Sequence, residues 1–423
     1  MKVFKFGGAS VKDAAAVDNV ASILSLFEGQ NITVVVSAMG KTTNKLEEIV
    51  WALHDGDQKQ FYNLVDDLAA YHEEILGTLF TERHYVIYNF IEELFENLKE
   101  RIHRPFSENV AYEYDQIVSL GEIIASHILA SFLGEKGFSA TWTDARKLVR
   151  TDNTYQEGKV DWTKTEQLIH DRFLPLFESS SIVVTQGFLG HTAEGFTTTL
   201  GREGSDYTAG IFAYCTNASE VTIWKDVPGM LNADPKYFSD TVKLDKISFR
   251  EAIELSYYGA SVIHPKTLKP LQNKDIPLYV KSFIEPKAAG TVIQASTEND
   301  HLVASFIFKK EQVLFSITPK DFSFIVEENL SSIFNRLAEA RVHINLMQNS
   351  ALSFSILTDA SKINIQEILN LFKENYEVKY NEGLELITVR HYDEPTLKKV
   401  TAGKEILLQQ LTRHTARIVA KNR

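Results

Sequence analysis

Five short clusters hold the side chains of this chain best suited to chemistry. In Lys5-Phe6-Gly7-Gly8-Ala9-Ser10 a lysine precedes two glycines, which let the backbone approach a ligand closely, and a serine that can cap a helix. Such a turn turns N–H groups toward an anion while the lysine adds positive charge; a glycine turn with an exposed lysine is the structural alternative. In Thr199-Leu200-Gly201-Arg202-Glu203-Gly204-Ser205-Asp206 two glycines flank an arginine. Its guanidinium can grip a carboxylate through two parallel hydrogen bonds, and Ser205 or Asp206 can cap a following helix. A solvated loop with an ordinary cap would look the same. Trp224-Lys225-Asp226-Val227-Pro228-Gly229-Met230 and Ala233-Asp234-Pro235-Lys236 read as a strand end and two turns. Ser119-Leu120-Gly121-Glu122 lies in a helical pattern with Glu122 off the apolar stripe, facing water or a cleft. In Tyr258-Gly259-Ala260-Ser261-Val262-Ile263-His264-Pro265 the proline holds His264 in an extended turn, which suits a structural histidine better than a catalytic one.

The sequence has no zinc-ligand spacing, no Gly-x-Ser-x-Gly elbow, no P-loop and no complete Gly-x-Gly-x-x-Gly. What remains is chemistry on small anions. A net charge of −12 argues against nucleic acid, whose backbone needs a basic footprint. Local Lys, Arg and helix N-termini can still bind a small anion. Hydrophobic content of 44% and charged content of 24% are those of a globular chain. No apolar run reads as long enough to cross a bilayer, and no signal-peptide pattern precedes the strand-like Met1-Lys2-Val3-Phe4. The single cysteine, Cys215, cannot form an internal disulfide and reads as a small buried helix residue, which fits a reducing cytosol. The expected location is cytoplasmic.

These clusters need elements to hold them. The 423 residues suit two or three domains. Over residues 1–300, strands expected at Val3–Phe6, Ile32–Val36, Ser139–Thr143, Ile182–Thr185, Glu220–Trp224 and Pro277–Lys281 alternate with helical patterns. Those patterns span Lys12–Phe27, a long region Thr43–Arg101, and Asp115–Leu133, where Ile117, Leu120, Ile124 and Ile128 recur every three or four residues. The alternation predicts an α/β sandwich with a mostly parallel central sheet, whose ligands lie beyond the carboxyl ends of its strands. The glycine turns after Phe6, Val36 and Thr185 sit there. Beyond residue 300 the order is a strand (Val313–Thr318), a helix (Glu328–Ala340), strands His343–Leu346 and Ala351–Leu357, a helix (Ile365–Asn375) and a strand (Glu377–Tyr380). This is a βαββαβ module of α+β class. A further strand over Gly383–His391 and a helix over Pro395–Leu411 follow.

Taken in order, the motifs resemble those of aspartate kinase, within the amino acid kinase superfamily. Lys-Phe-Gly-Gly-x-Ser, Ser-Leu-Gly-Glu, Gly-Phe-Leu-Gly at 187–190, Thr-Leu-Gly-Arg-x-Gly-Ser-Asp, Val-Pro-Gly…Ala-Asp-Pro and Gly-Ala-x-Val-Ile-His-Pro recur in the family order over nearly the whole chain. The resemblance implies a three-layer catalytic domain at 1–300, an ACT-like regulatory domain at 301–382 and a partial second ACT-like unit at 383–423. It implies transfer of the ATP γ-phosphate to the β-carboxylate of L-aspartate, with Mg²⁺, at the head of lysine, threonine and methionine biosynthesis. Lys5 would contact the moving phosphoryl group, and Asp206 would hold the lysine network. Gly7, Gly8 and Ser37 would line the phosphate channel. Glu122 would take the substrate ammonium and Arg202 its α-carboxylate, with Thr43 and Ser205 adding hydrogen bonds. Lys225, Asp226, Leu231, Lys236 and Ser261 lie where the family binds nucleotide. No protein metal ligands are implied, and a homodimer through the ACT modules is.

Three departures qualify the resemblance. Glu203 stands where the family usually has glycine. Ser261 stands where many members have a lysine that reaches the nucleotide, a loss for which Lys225 is the expected compensation. The second ACT-like unit reads as ending after one strand and one helix. Asn345, where lysine-sensitive relatives tend to be acidic, leaves threonine or no effector open. A fused homoserine dehydrogenase is not expected. Two alternatives stay open: a kinase for another acid such as glutamate or acetylglutamate, and a weakly catalytic amino-acid sensor.

Overall fold

The computed structural model describes residues 1–80, 85–238, 240–260 and 263–422. The chain divides into two compact units, one made of Met1–Met230, Lys243–Ile253 and Ser261–Thr297, the other of Leu231–Val242, Glu254–Ala260 and Glu298–Arg423.

The first unit is built on strands β1 (Lys2–Phe6), β2 (Ile32–Val36), β3 (Ala140–Trp142), β4 (Ile182–Gln186), β5 (Leu189–His191), β6 (Thr197–Thr199), β7 (Glu220–Lys225), β8 (Lys246–Ser248), β9 (Leu278–Ser282) and β10 (Thr291–Gln294). Eight of them form one sheet in the order β3-β4-β2-β1-β7-β9-β10-β8, and β5 pairs with β6. All neighbours in the large sheet are parallel except β9 and β10. The strands β2 and β4 are buried at every residue. That pattern requires cover on both faces, so the β-branched runs ITVVV and IVVTQ cannot alternate with polar residues.

The cover comes from helices α1 (Ala14–Ser25), α2 (Thr42–His54), α3 (Gln58–Leu79), α4 (Tyr85–Lys99), α5 (Val110–Val118), α6 (Leu120–Glu135), α7 (Trp162–Leu168), α8 (Gly204–Thr216), α9 (Phe249–Tyr258) and α10 (Pro265–Asn273). Phe4 and Phe6 point into the core shared with α1 to α6, along with Val34, Val36 and Trp224. Alternation sends Lys5 to the other face, where α8 packs on β1, β2 and β7. This is the expected three-layer α/β sandwich.

Three readings needed correction here. The long helical region splits into α2, α3 and α4, because the chain turns at Gly56 and Asp57 caps α3 by accepting from Gln60 N–H at 2.9 Å. The helix expected at Asp115–Leu133 is two helices meeting at Ser119. The apolar stretch Val110–Glu135 is in fact long and apolar enough to cross a membrane. Its most apolar window is 72% buried in the fold, so it is the core helix pair of this unit.

The second unit holds β11 (Ser305–Pro319), α11 (Glu327–Glu339), β12 (Leu346–Asn349), β13 (Phe354–Asp359), α12 (Ile365–Phe372), β14 (Tyr376–Arg390), α13 (Glu394–Thr401), β15 (Lys404–Leu411) and β16 (Thr415–Asn422). Six antiparallel strands form one sheet in the order β12-β13-β11-β14-β16-β15. Helices α11 and α12 cover it through Ile333, Leu337, Ile368 and Phe372. The strands expected at Glu377–Tyr380 and Gly383–His391 are one continuous strand, β14. The strand expected at His343–Leu346 lies later, at β12.

The helix expected over Pro395–Leu411 is corrected. It ends at Thr401; Gly403 takes φ +72°, and the chain returns as the hairpin β15–β16. The apolar triplet Ile406-Leu407-Leu408 fits either period. Pairing with β16, itself laid on β14, decides for strand. The tail therefore contributes one helix and two further strands after β14, more than the single strand and helix read from the sequence.

Candidate active site

The strand β1 ends centrally, with β2 on one side and β7 on the other. Chain reversals beyond these ends open a cleft, the position expected of ligands in such sheets. The turn after β1 runs beside the one after β2: Ser37 N–H donates to Phe6 O at 3.0 Å, and Gly40 N–H to Gly8 O at 3.1 Å. The fit is close enough that a Cβ on Gly8 would lie 2.8 Å from Ala38 O, so glycine is required there. On the far side, Gly187 follows β4, and a Cβ on it would meet Ser205 Cβ at 2.5 Å. That glycine lets the N-terminus of α8 press against the sheet edge.

These contacts shape a cleft of about 610 Å³ lined by Lys5, Ser37, Thr43, Glu122, Arg202, Ser205, Asp206 and Lys225. Lys5 Nζ lies 2.7 Å from Asp206 Oδ1 and Lys225 Nζ 3.8 Å from Asp206 Oδ2. One buried carboxylate in the first turn of α8 thus aligns two ammonium groups from neighbouring strands. Opposite them, Glu122 stands in the first turn of α6 and is 3% exposed. It faces the cleft and not water. Ala38 N–H donates to its Oε1 at 3.2 Å, while Oε2 is buried with no partner among the described residues. Burial pushes its carboxyl up to about 8, against a smaller opposing pull from Lys5. An incoming cation would favour the ionised form of this buried acid and give its unsatisfied oxygen a partner. Arg202 is exposed at the rim, free to meet an anion.

The expected nucleotide residues divide. Lys5, Ser37 and Lys225 line the cleft. Gly7 adjoins it, since a Cβ there would lie 3.3 Å from Lys5 Nζ, and Gly8 forms the turn itself. Asp226 is exposed just past β7. Leu231 and Lys236 belong to the second compact unit. Ser261 lies outside the described residues. His264 caps α10, its Nδ1 accepting from Lys266 N–H at 3.1 Å, in keeping with a structural histidine. Cys215 is buried in α8, and burial pushes its thiol up to about 12.

Sequence reasoning missed Tyr114, Gln156, Glu157, Phe188 and Thr199, all of which line the cleft. It also missed Asp115, which braces two of them. Asp115 accepts from Thr199 Oγ1 at 2.7 Å, Thr199 N–H at 2.8 Å and Gln156 N–H at 2.9 Å. Burial still holds its carboxyl up at about 6. An acidic residue beside an apolar stripe was the only trace of this role. Glu203 sits at φ +54°, the left-handed region that favours glycine, and its Oε2 is buried without a partner among the described residues.

Comparison with known proteins agrees with this geometry. The model of the amino acid kinase family matches residues 1–282. The chain is 32% identical to the lysine-sensitive aspartokinase 3 of Escherichia coli over 96% of its own length and 89% of that protein. It is 28% identical to the chloroplastic aspartokinase 1 of Arabidopsis thaliana over 87% of its length, spanning 65% of that protein. Among solved structures, E. coli aspartokinase III in complex with aspartate and ADP superposes with a TM-score of 0.81 at 30% identity, covering 100% of this chain and 96% of that one.

Proposed function

Because the chain belongs to the amino acid kinase family, on its aspartokinase branch, we propose that it transfers the γ-phosphoryl group of ATP to the β-carboxylate of L-aspartate. The observation that carries the reading is the ion pair of Lys5 and Asp206, facing Glu122 and Arg202 across one cleft. It supplies cations for phosphates, one guanidinium for an α-carboxylate and one buried acid for an α-ammonium.

The attacking carboxylate has a pKa of about 4, so it is already ionised and needs no general base. Its oxygen forms a bond to Pγ while the bond from Pγ to the ADP oxygen breaks, and ADP leaves with that electron pair. Catalysis is then positioning and charge stabilisation. Lys5 follows the transferring group, Asp206 fixes Lys5, and Lys225 adds charge toward the nucleotide. Gly7, Gly8 and Ser37 line the phosphate channel, and Asp226 and Ser261 contribute to the nucleotide site. Thr43 and Ser205 orient the substrate between Glu122 and Arg202. Mg²⁺ would be held here through the phosphates and water, since the buried Asp206 carboxylate in the cleft is already shared by two lysines.

Residues 1–300 form the catalytic domain in this reading, with ACT-like regions at 301–382 and 383–423 that pair two subunits in the cytoplasm. An effector of that region, if the enzyme has one, would be an amino acid. In that region Asn345 is satisfied internally: it donates to Gln312 Oε1 at 2.8 Å and Asp359 Oδ1 at 2.9 Å and accepts from Lys309 Nζ at 2.8 Å. This supports the expectation that lysine is not that effector, and clear inhibition by low-millimolar lysine would overturn it.

ADP release by the purified protein with MgATP, compared across L-aspartate, L-glutamate and no amino acid, tests the function. Aspartate-dependent turnover that disappears in Lys5→Ala is expected. Equal turnover with glutamate would reject the substrate, and a folded protein inactive with every acid would reject the kinase.

A further inference from the structure

We propose that the groove between α7, α8 and α10 is a second binding site, for a small ring-bearing anion. Trp162 opens α7, Tyr207 and Tyr214 stand on one face of α8, and Lys266, Lys269 and Pro270 form the facing wall from α10. The space is about 370 Å³, the size of a small-molecule pocket. It shares no lining residue with the cleft of Lys5 and Arg202.

The chemistry of the walls names the ligand. Trp162 and Tyr214 meet edge to face with centroids 5.1 Å apart, and Trp162 and Tyr207 at 6.3 Å. All three rings are half-buried, packed against one another yet reaching the groove. Lys274 on the same rim is committed: it donates to Tyr214 O at 2.7 Å and Asn217 Oδ1 at 2.8 Å and pairs with Glu166 at 3.5 Å. Lys266 and Lys269 have no carboxylate partner among the described residues. An aromatic wall opposite two uncommitted ammonium groups selects a flat ring carrying negative charge, either an aryl carboxylate or a nucleoside monophosphate.

The groove also touches the machinery of the cleft. Tyr207 directly follows Asp206 on α8. The helices α8 and α10 approach so closely that a Cβ on Gly210 would lie 3.1 Å from Thr267 O. A ligand held by both therefore contacts the helix that fixes Lys5.

Calorimetric titration of the full chain, with MgADP present to fill the nucleotide site, uses indole-3-acetate, benzoate, uridine monophosphate and neutral indole as probes. Saturable binding of at least one anion is expected, weakened about tenfold in the Lys266→Ala/Lys269→Ala double variant and abolished in Tyr214→Ala. Binding by the carboxylates alone, or by the nucleotide alone, identifies the source. No anion binding tighter than about 1 mM, indole binding as tightly as indole-3-acetate, or binding that survives Tyr214→Ala would each overturn the proposal. Should Tyr214→Ala fail to fold by circular dichroism, the double lysine variant decides alone.

Discussion

Lys5 Nζ and Asp206 Oδ1 stand 2.7 Å apart, one at the carboxyl end of β1 and the other in the first turn of α8, and both are almost withdrawn from solvent. Removing one partner leaves the other as a charge with poor solvation. Lys5→Ala is expected to lower kcat about a hundred- to a thousandfold. Asp206→Ala should destabilise the fold by about 3 kcal/mol, because it leaves Lys5 and Lys225 as neighbouring cations without their shared carboxylate. In urea unfolding, the double variant should cost less than the sum of the two single ones. Additive costs would show that the pair is not coupled.

Glu122 makes a pH-dependent prediction. Its native carboxyl is raised to about 8 from an ordinary 4.5. Between these values the native state holds a proton that the unfolded chain has lost. Stability from this group is complete below pH 4.5 and declines as pH rises through 8. Glu122→Gln should therefore gain thermal stability relative to the parent at pH 8 and gain little at pH 5. Docking of an ammonium beside the ionised form should also release a proton near pH 7. Calorimetric enthalpies of aspartate binding should then vary with buffer ionisation enthalpy; no variation would count against Glu122 as the ammonium partner.

Glu203 carries a cost that the fold tolerates. A non-glycine residue at φ +54° costs about 1–2 kcal/mol, and its buried Oε2 adds to it. Glu203→Gly should stabilise the protein by about 1 kcal/mol in denaturant titration. It should also lower the KM for aspartate by removing a negative charge beside Arg202. A raised KM would show that Glu203 contributes to binding.

Asp115 braces the wall of the cleft from below. Asp115→Ala strands the N–H groups of Thr199 and Gln156 and should cost about 2–3 kcal/mol. Because Thr199 lines the cleft, KM should rise more than kcat falls. Asp115→Asn, which keeps one acceptor, should recover part of both. Equal effects of Ala and Asn would mean that the hydrogen bonds are not what Asp115 provides.

What could be read directly from residue order was local. The unbroken apolar and β-branched runs at 32–36 and 182–186 follow from strand burial on both faces, and the glycine turn after Phe6 and the arginine between glycines at 201–204 follow from backbone sterics. They placed Lys5, Arg202 and Asp206 at element ends before any contact was known, whereas Glu122 read as lying within one long helix. Tertiary structure decided what local pattern leaves degenerate. Whether Ile406-Leu407-Leu408 forms helix or strand depended on β16 as a partner. Asp115 became a brace only because β6 and the loop at Gln156 fold over it. Glu122 became a buried acid, not a solvated one, because Ala38 and the cleft close around it; burial and ion pairing are properties of neighbours distant in sequence, and no single segment encodes them.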